Sequence, residues 1–122
     1  MLDKRNFYIN GKWVPPQKKN DLKVIDPSTE EDCAVISLGG AADVNDAVNA
    51  ATKAFETWAF SKKEERLKYL EALYDVYKKR WADMAKAISL EMGAPIDFST
   101  QLQAGTGASH IKSYIKVLKE YT

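Results

Sequence analysis

Cys33 is the only thiol and His110 the only imidazole in the chain, so nucleophilic or metal chemistry has few residues to start from. A cysteine nucleophile needs a helix N-terminus or a nearby cation to favour its thiolate. Cys33 instead follows Glu30-Glu31-Asp32, whose like charge opposes the thiolate, and it reads as a small strand residue. A metal centre needs several His, Cys or carboxylate ligands at fixed spacing, and no HxxxH, CxxC or DxDxDG pattern occurs. His110 therefore reads as a surface or locally bonded histidine. Gly39-Gly40 leads from a strand into a helix, the right context for phosphate, but completes no nucleotide-binding spacing. Gly105-Thr106-Gly107 lacks a preceding strand and reads as small residues that let helices approach or break. The basic residues Lys62, Lys63, Arg66 and Lys68 are interrupted by Glu64 and Glu65, which describes a solvated helix face.

The elements around these residues divide the chain in two. Through Leu38 the pattern is β: Phe7-Tyr8-Ile9 and Lys12-Trp13-Val14 flank Asn10-Gly11, a pair suited to a type I′ turn. Short strands at Leu22 to Ile25 and Cys33 to Leu38 flank the turn signal Asp26-Pro27-Ser28-Thr29. From Gly40 to residue 121 the pattern is helical. Val44, Ala47, Val48, Ala51, Phe55 and Trp58 form one stripe, with Gly40 as N-cap and Asp43 and Asp46 near the positive helix end. Ser61-Lys62-Lys63-Glu64 predicts a capping box for the next helix, whose face is Leu67, Leu70, Leu73, Tyr74 and Tyr77. Glu64/Lys68 and Asp75/Lys79 are its expected i,i+4 pairs. A break is expected near Arg80, a helix end at Gly93-Ala94-Pro95, and a last helix around Ile111, Tyr114, Ile115 and Leu118. Phe55, Trp58, Tyr74, Tyr77 and Trp81 at helical spacing predict core or interface. The fold class is α+β, a single segment with short strands and a hairpin over 7–38 and helices over 40–121.

With 122 residues, 45% of them hydrophobic and 29% charged, the composition is that of one folded domain, not a disordered chain. A net charge of +1 excludes an electrostatic nucleic-acid binder or a polybasic membrane binder. No stretch has the length of a membrane span, and the N-terminus lacks the apolar core of a signal peptide. A lone cysteine suits a reducing cytoplasm.

The ordered set of motifs adds more than its parts. Tyr8-Ile9-Asn10-Gly11-Lys12-Trp13-Val14, then Val24 through Glu31, then Ala42-Asp43-Val44-Asn45-Asp46-Ala47-Val48-Asn49-Ala50-Ala51, resembles the start of the aldehyde dehydrogenase superfamily. Glu65-Arg66-Leu67 with Leu70, and Leu90-Glu91-Met92-Gly93-Ala94-Pro95, are similar to its later motifs. Asp26 replaces the usual Asn, Glu31 is assigned to the usual glycine position of the turn, and Ala94 replaces the usual lysine.

The resemblance implies a parent enzyme that oxidises an aldehyde to a carboxylate with NAD or NADP, within whose α/β cofactor-binding domain this segment is the N-terminal portion. In the family a cysteine thiolate attacks the aldehyde, hydride passes to the nicotinamide, and a glutamate-activated water releases the acyl group. The matching family segments follow the last residue here, so no catalytic or cofactor-binding residue is carried over, and Cys33 is not the nucleophile. The segment alone is expected to be inactive and to bind no cofactor. One family feature does map onto it: a monovalent cation, Na⁺ or K⁺, held by backbone oxygens at Val24 and Ile25 and by the Glu91 carboxylate. Expected partners are the aldehyde substrate in the parent, and either the remainder of the dehydrogenase or a second copy on the apolar helix faces. No nucleic-acid or membrane partner is expected. A free-standing α+β interaction or assembly module derived from the same segment is the alternative.

Overall fold

The computed structural model describes residues 1–121, which form two compact units, Met1–Phe60 and a second beginning at Ser61. The first holds two sheets and one long helix. Strands β2 (Phe7–Ile9) and β3 (Lys12–Val14) pair antiparallel with Tyr8 opposite Trp13. Asn10 at φ 52° and Gly11 at φ 74° make the type I′ turn that the Asn-Gly pair predicts. Period-two alternation puts Phe7, Ile9 and Val14 on a half-buried face, while Tyr8 and Trp13 meet on the exposed one with ring centroids 5.2 Å apart.

The second sheet has the order β1-β5-β4, with β1 at Leu2–Lys4, β4 at Asp21–Asp26 and β5 at Glu31–Ser37. β1 runs parallel to β5, with Leu2 beside Ala34, and is an element the sequence reading passes over. β5 lies between the other two, and Ala34, Val35 and Ser37 are buried in it. β4 and β5 are joined by a turn in which Asp26 Oδ1 accepts the Ser28 N–H at 2.8 Å and Asp26 O accepts the Glu30 N–H at 2.8 Å.

That turn corrects one assignment. Glu30, at φ 61°, occupies the left-handed position that favours glycine, whereas Glu31 already pairs with Asp26 in the sheet. A β-carbon in this region crowds the following carbonyl. Glu30→Gly is expected to stabilise the chain by about 0.5–1 kcal/mol in urea denaturation, the glycine's extra unfolded-state entropy offsetting part of the relief. Unchanged or lower stability would show that Glu30 carries no strain.

Helix α1 (Ala41–Trp58) begins at an extended Gly40, as expected, and the Asp43 carboxylate accepts the Gly40 N–H at 2.8 Å. Its stripe does not become core: Val44, Val48, Phe55 and Trp58 are all exposed.

The second unit is helical: α2 (Lys63–Lys79), α3 (Trp81–Met92), a short α4 (Ile96–Phe98), a π-helical turn over Ser99–Gln103, and α5 (Ala104–Glu120). The predicted capping box does not form. Lys62 is the N-cap, one residue later than expected, because Arg66 engages Ser61, donating to its hydroxyl at 2.8 Å and its carbonyl at 2.9 Å. Asp75 pairs with Lys78 at 3.0 Å and not with Lys79. The break at Arg80 is present, and Gly93 closes α3 in the left-handed conformation at φ 71°. α2 and α5 run side by side. Glu71 pairs with Lys119 at 2.8 Å, and Lys63 Nζ donates to the carbonyls of Lys119 and Tyr121, satisfying the end of α5. Ala85, Ala94, Ser99, Ala104 and Ala108 are the buried residues of this unit, and Ser99 is the largest side chain fully buried among the described residues.

Candidate functional site

Val24 and Ile25 sit where the β4–β5 ladder breaks register. Val24 pairs with Ala34 and Ile25 with Asp32, so Cys33 is the extra residue of a bulge. A bulge turns peptide groups out of regular pairing, and here the Cys33 thiol donates to the Val24 carbonyl at 3.3 Å. The lone cysteine is thus a half-buried strand residue that compensates a local ladder defect. Lys23 and Asp32 form an ion pair beside it.

Glu91 lies in the last turn of α3, exposed, in a helix whose final turn carries no basic side chain. Negative charge at a helix C-terminus adds to the negative end of the macrodipole, so this carboxylate sits where a cation is welcome. Val24 and Ile25 belong to the first unit and Glu91 to the second. His110 is exposed on α5. Among the described residues no group of three or more His, Cys, Asp or Glu side chains is placed to hold a metal. Hard backbone oxygens, which the Val24–Ile25 position offers, fall outside such clusters.

One carboxylate that the sequence reads only as helix-end charge gathers two backbone N–H groups far apart in the chain. Asp43 Oδ1 accepts the Gln17 N–H at 2.8 Å while Oδ2 accepts that of Gly40, and Asp46 accepts the Gln17 side-chain amide at 2.8 Å. These bonds stabilise the ionised form and hold the Asp43 carboxyl below the usual carboxylate range. Asp43 thus ties the Gln17 loop to the start of α1. A second tie is Arg5, whose guanidinium forks onto Asp3 at 3.0 and 2.6 Å and lowers its carboxyl to about 2.

In the second unit the Gly105-Thr106-Gly107 run is a packing device. A β-carbon on Gly107 would overlap the Tyr77 hydroxyl and come within 2.9 Å of its ring carbon Cζ. Tyr77 uses that space to donate to the Ala104 carbonyl at 2.9 Å, and Trp81 Nε1 donates to the Thr100 carbonyl at 2.8 Å. Both accepting carbonyls lie in or beside the π-helical turn, where regular helical bonding is interrupted.

Comparison with known proteins places this geometry. Residues 13–122 match the sequence pattern described as "Aldehyde dehydrogenase family". The chain is 39% identical over 122 residues to a 3-succinoylsemialdehyde-pyridine dehydrogenase from a Pseudomonas species, covering 99% of this chain and 26% of the relative. Its fold superposes on an aldehyde dehydrogenase from Bartonella henselae with TM-score 0.98 and 56% identity, over 100% of this chain and 26% of that one. It also superposes on a mutant of aldehyde dehydrogenase C from Pseudomonas syringae, solved with NAD⁺ and octanal. There the TM-score is 0.94 at 36% identity, over 97% of this chain and 24% of that one. The chain therefore spans about a quarter of the length of the relatives it matches. No helix among the described residues is long and apolar enough to cross a membrane.

Proposed function

This chain belongs to the aldehyde dehydrogenase family, and from that premise we propose that it serves as the N-terminal part of an enzyme that oxidises an aldehyde to a carboxylate with NAD. The reading rests above all on the superposition at TM-score 0.98 over the whole chain with an enzyme 56% identical to it. NAD is favoured over NADP by the NAD⁺ in the Pseudomonas syringae structure. In such a reaction NAD takes up the hydride. What these residues contribute is scaffold: a hairpin, a sheet and helices fixed by the Asp43 and Tyr77 ties. Cys33, held to the Val24 carbonyl, does not act as the nucleophile. Its free thiol fits a cytoplasmic setting.

Taken alone, these 122 residues should not turn over aldehydes. Purified chain incubated with NAD or NADP and a panel of aldehydes should give no more reduced nucleotide than a buffer blank. Clear turnover would refute this division of labour.

The same reading assigns Val24, Ile25 and Glu91 to a monovalent cation, Na⁺ or K⁺. The bulge beside Val24 and the carboxylate at the C-terminus of α3 both suit a weakly bound hard cation. A full-length enzyme carrying this segment should melt higher in NaCl or KCl than in choline chloride at equal ionic strength. Glu91→Gln should remove that difference, and equal melting temperatures in all three salts would eliminate the site.

A further inference from the structure

Asn10-Gly11 makes the turn of the β2–β3 hairpin, and the same two residue types suit a covalent change that the fold does not require. An asparagine side-chain amide can be attacked at its Cγ by the backbone nitrogen of the next residue. A β-carbon on that next residue obstructs the approach, and glycine has none. Of the five asparagines, Asn10 alone precedes glycine; Asn6, Asn20, Asn45 and Asn49 precede Phe7, Asp21, Asp46 and Ala50. The structure leaves the pair open. Asn10 and Gly11 are both exposed, and apart from chain neighbours nothing lies within 4 Å of where a Gly11 β-carbon would stand. Ile9 and Lys12 are the last pair of the ladder, so the peptide group joining Asn10 to Gly11 lies outside it. The turn holds Asn10 at φ 52°, and ring closure needs it to relax. Two strands of three residues each resist that weakly, because a short two-stranded hairpin is marginally stable.

We propose that Asn10 is a site of spontaneous deamidation, and that its isoaspartate product opens the hairpin. The Gly11 nitrogen loses its proton to solvent and bonds to Asn10 Cγ, while the Cγ–Nδ2 bond breaks and ammonia leaves. Water then opens the cyclic imide at one of its two carbonyls. Cleavage at Cγ gives aspartate. Cleavage at the Asn10 backbone carbonyl gives isoaspartate, in which the chain runs through the former side chain. The sum is amide plus water to carboxylate plus ammonium, with no oxidant and no further reactant. The two products differ in consequence. Aspartate before glycine still suits a type I′ turn. Isoaspartate adds the β-carbon to the backbone of a two-residue turn, whose length and type fix the register of the strands. The Ile9–Lys12 pair and, behind it, the Tyr8–Trp13 ring contact at 5.2 Å then lose their closure.

The test ages the purified 122-residue chain in mildly alkaline buffer at physiological temperature and follows it by tryptic digestion and mass spectrometry. Trypsin cuts after Arg5 and Lys12, and the peptide between them carries both Asn6 and Asn10. Electron-transfer fragmentation locates the converted residue and separates isoaspartate from aspartate. Asn10 should convert roughly tenfold or more faster than each of the other four asparagines, whose following residues all carry a β-carbon. Hydrogen exchange at the Ile9 and Lys12 amides should accelerate roughly tenfold in the isoaspartate fraction, with β4 and β5 unchanged. Freshly purified Asn10→Asp adds the charge without the extra backbone carbon and should exchange like the unaged parent. Asn10→Gly keeps a turn-forming pair without an amide and should not change with age. Conversion at Asn10 no faster than at Asn6 overturns the proposal. So does isoaspartate at position 10 that leaves exchange at Ile9 and Lys12 as in the fresh chain, or an Asn10→Gly chain that loosens with age as the parent does.

Discussion

A Gly107→Val variant loses about 2–4 kcal/mol of stability, the combined cost of overpacking a tight helix contact and breaking one hydrogen bond. The reason is local. Any β-carbon at position 107 overlaps the Tyr77 hydroxyl, which cannot withdraw without giving up the Ala104 carbonyl. Gly107→Ala separates this clash from helix propensity, because in an open helix alanine is favoured over glycine by about 1 kcal/mol. Alanine at 107 should therefore destabilise the parent chain yet cost less, or even stabilise, in a Tyr77→Phe background, where the overlapping oxygen is gone. Urea denaturation of the four proteins closes a double-mutant cycle, and the expected coupling is about 1 kcal/mol or more. Equal effects of the alanine in both backgrounds would mean that Tyr77 is not what holds α5 at this distance.

The second large effect is expected at Asp43. Removing its carboxylate leaves the Gln17 and Gly40 N–H groups without their acceptors and detaches a loop from the helix start. Hydrogen exchange at those two amides should accelerate roughly tenfold or more in Asp43→Ala, with much smaller changes in the helical unit, where local opening is governed by other contacts. The acid response follows from the same bonds. The folded chain holds the Asp43 carboxyl below its ordinary value of 3.8, so the unfolded chain binds more protons in that range. The stabilisation is complete above pH 3.8 and is lost as the pH falls through the lower folded value. Asp43→Asn should flatten this part of the acid-unfolding curve. Asp3, held to about 2 by Arg5, contributes in the same direction, so Asp3→Asn is the comparison. An Asp43→Asn curve parallel to that of the parent chain would refute the assignment.

Features governed by neighbours in sequence are readable without coordinates. Asn10-Gly11 encodes its own turn, Gly40 its N-cap, and Gly93-Ala94-Pro95 a helix stop, because each depends on backbone freedom within a few residues. The failures are those decided at a distance. Ser61 matches a capping-box pattern, but Arg66 competes for its oxygens and the helix starts one residue later. Leu2-Asp3-Lys4 has too little alternation to announce a strand, and only pairing with β5, some thirty residues on, makes it one. The π-helical turn leaves no compositional mark, since it reflects where Trp81 and Tyr77 find carbonyl partners. Of the candidate cation site, the residue types were legible, whereas the bulge at Cys33 was not.

The pairing of β1 with β5 also sets an order of events during synthesis. Leu2 emerges from the ribosome 32 positions ahead of its partner Ala34. At about ten residues per second, that strand waits roughly three seconds, while the β2–β3 hairpin can close as soon as its turn is out. Any extension fused before Met1 is translated ahead of this waiting strand and remains attached to the edge of the sheet. A short N-terminal affinity tag therefore acts directly on the pairing of β1 with β5.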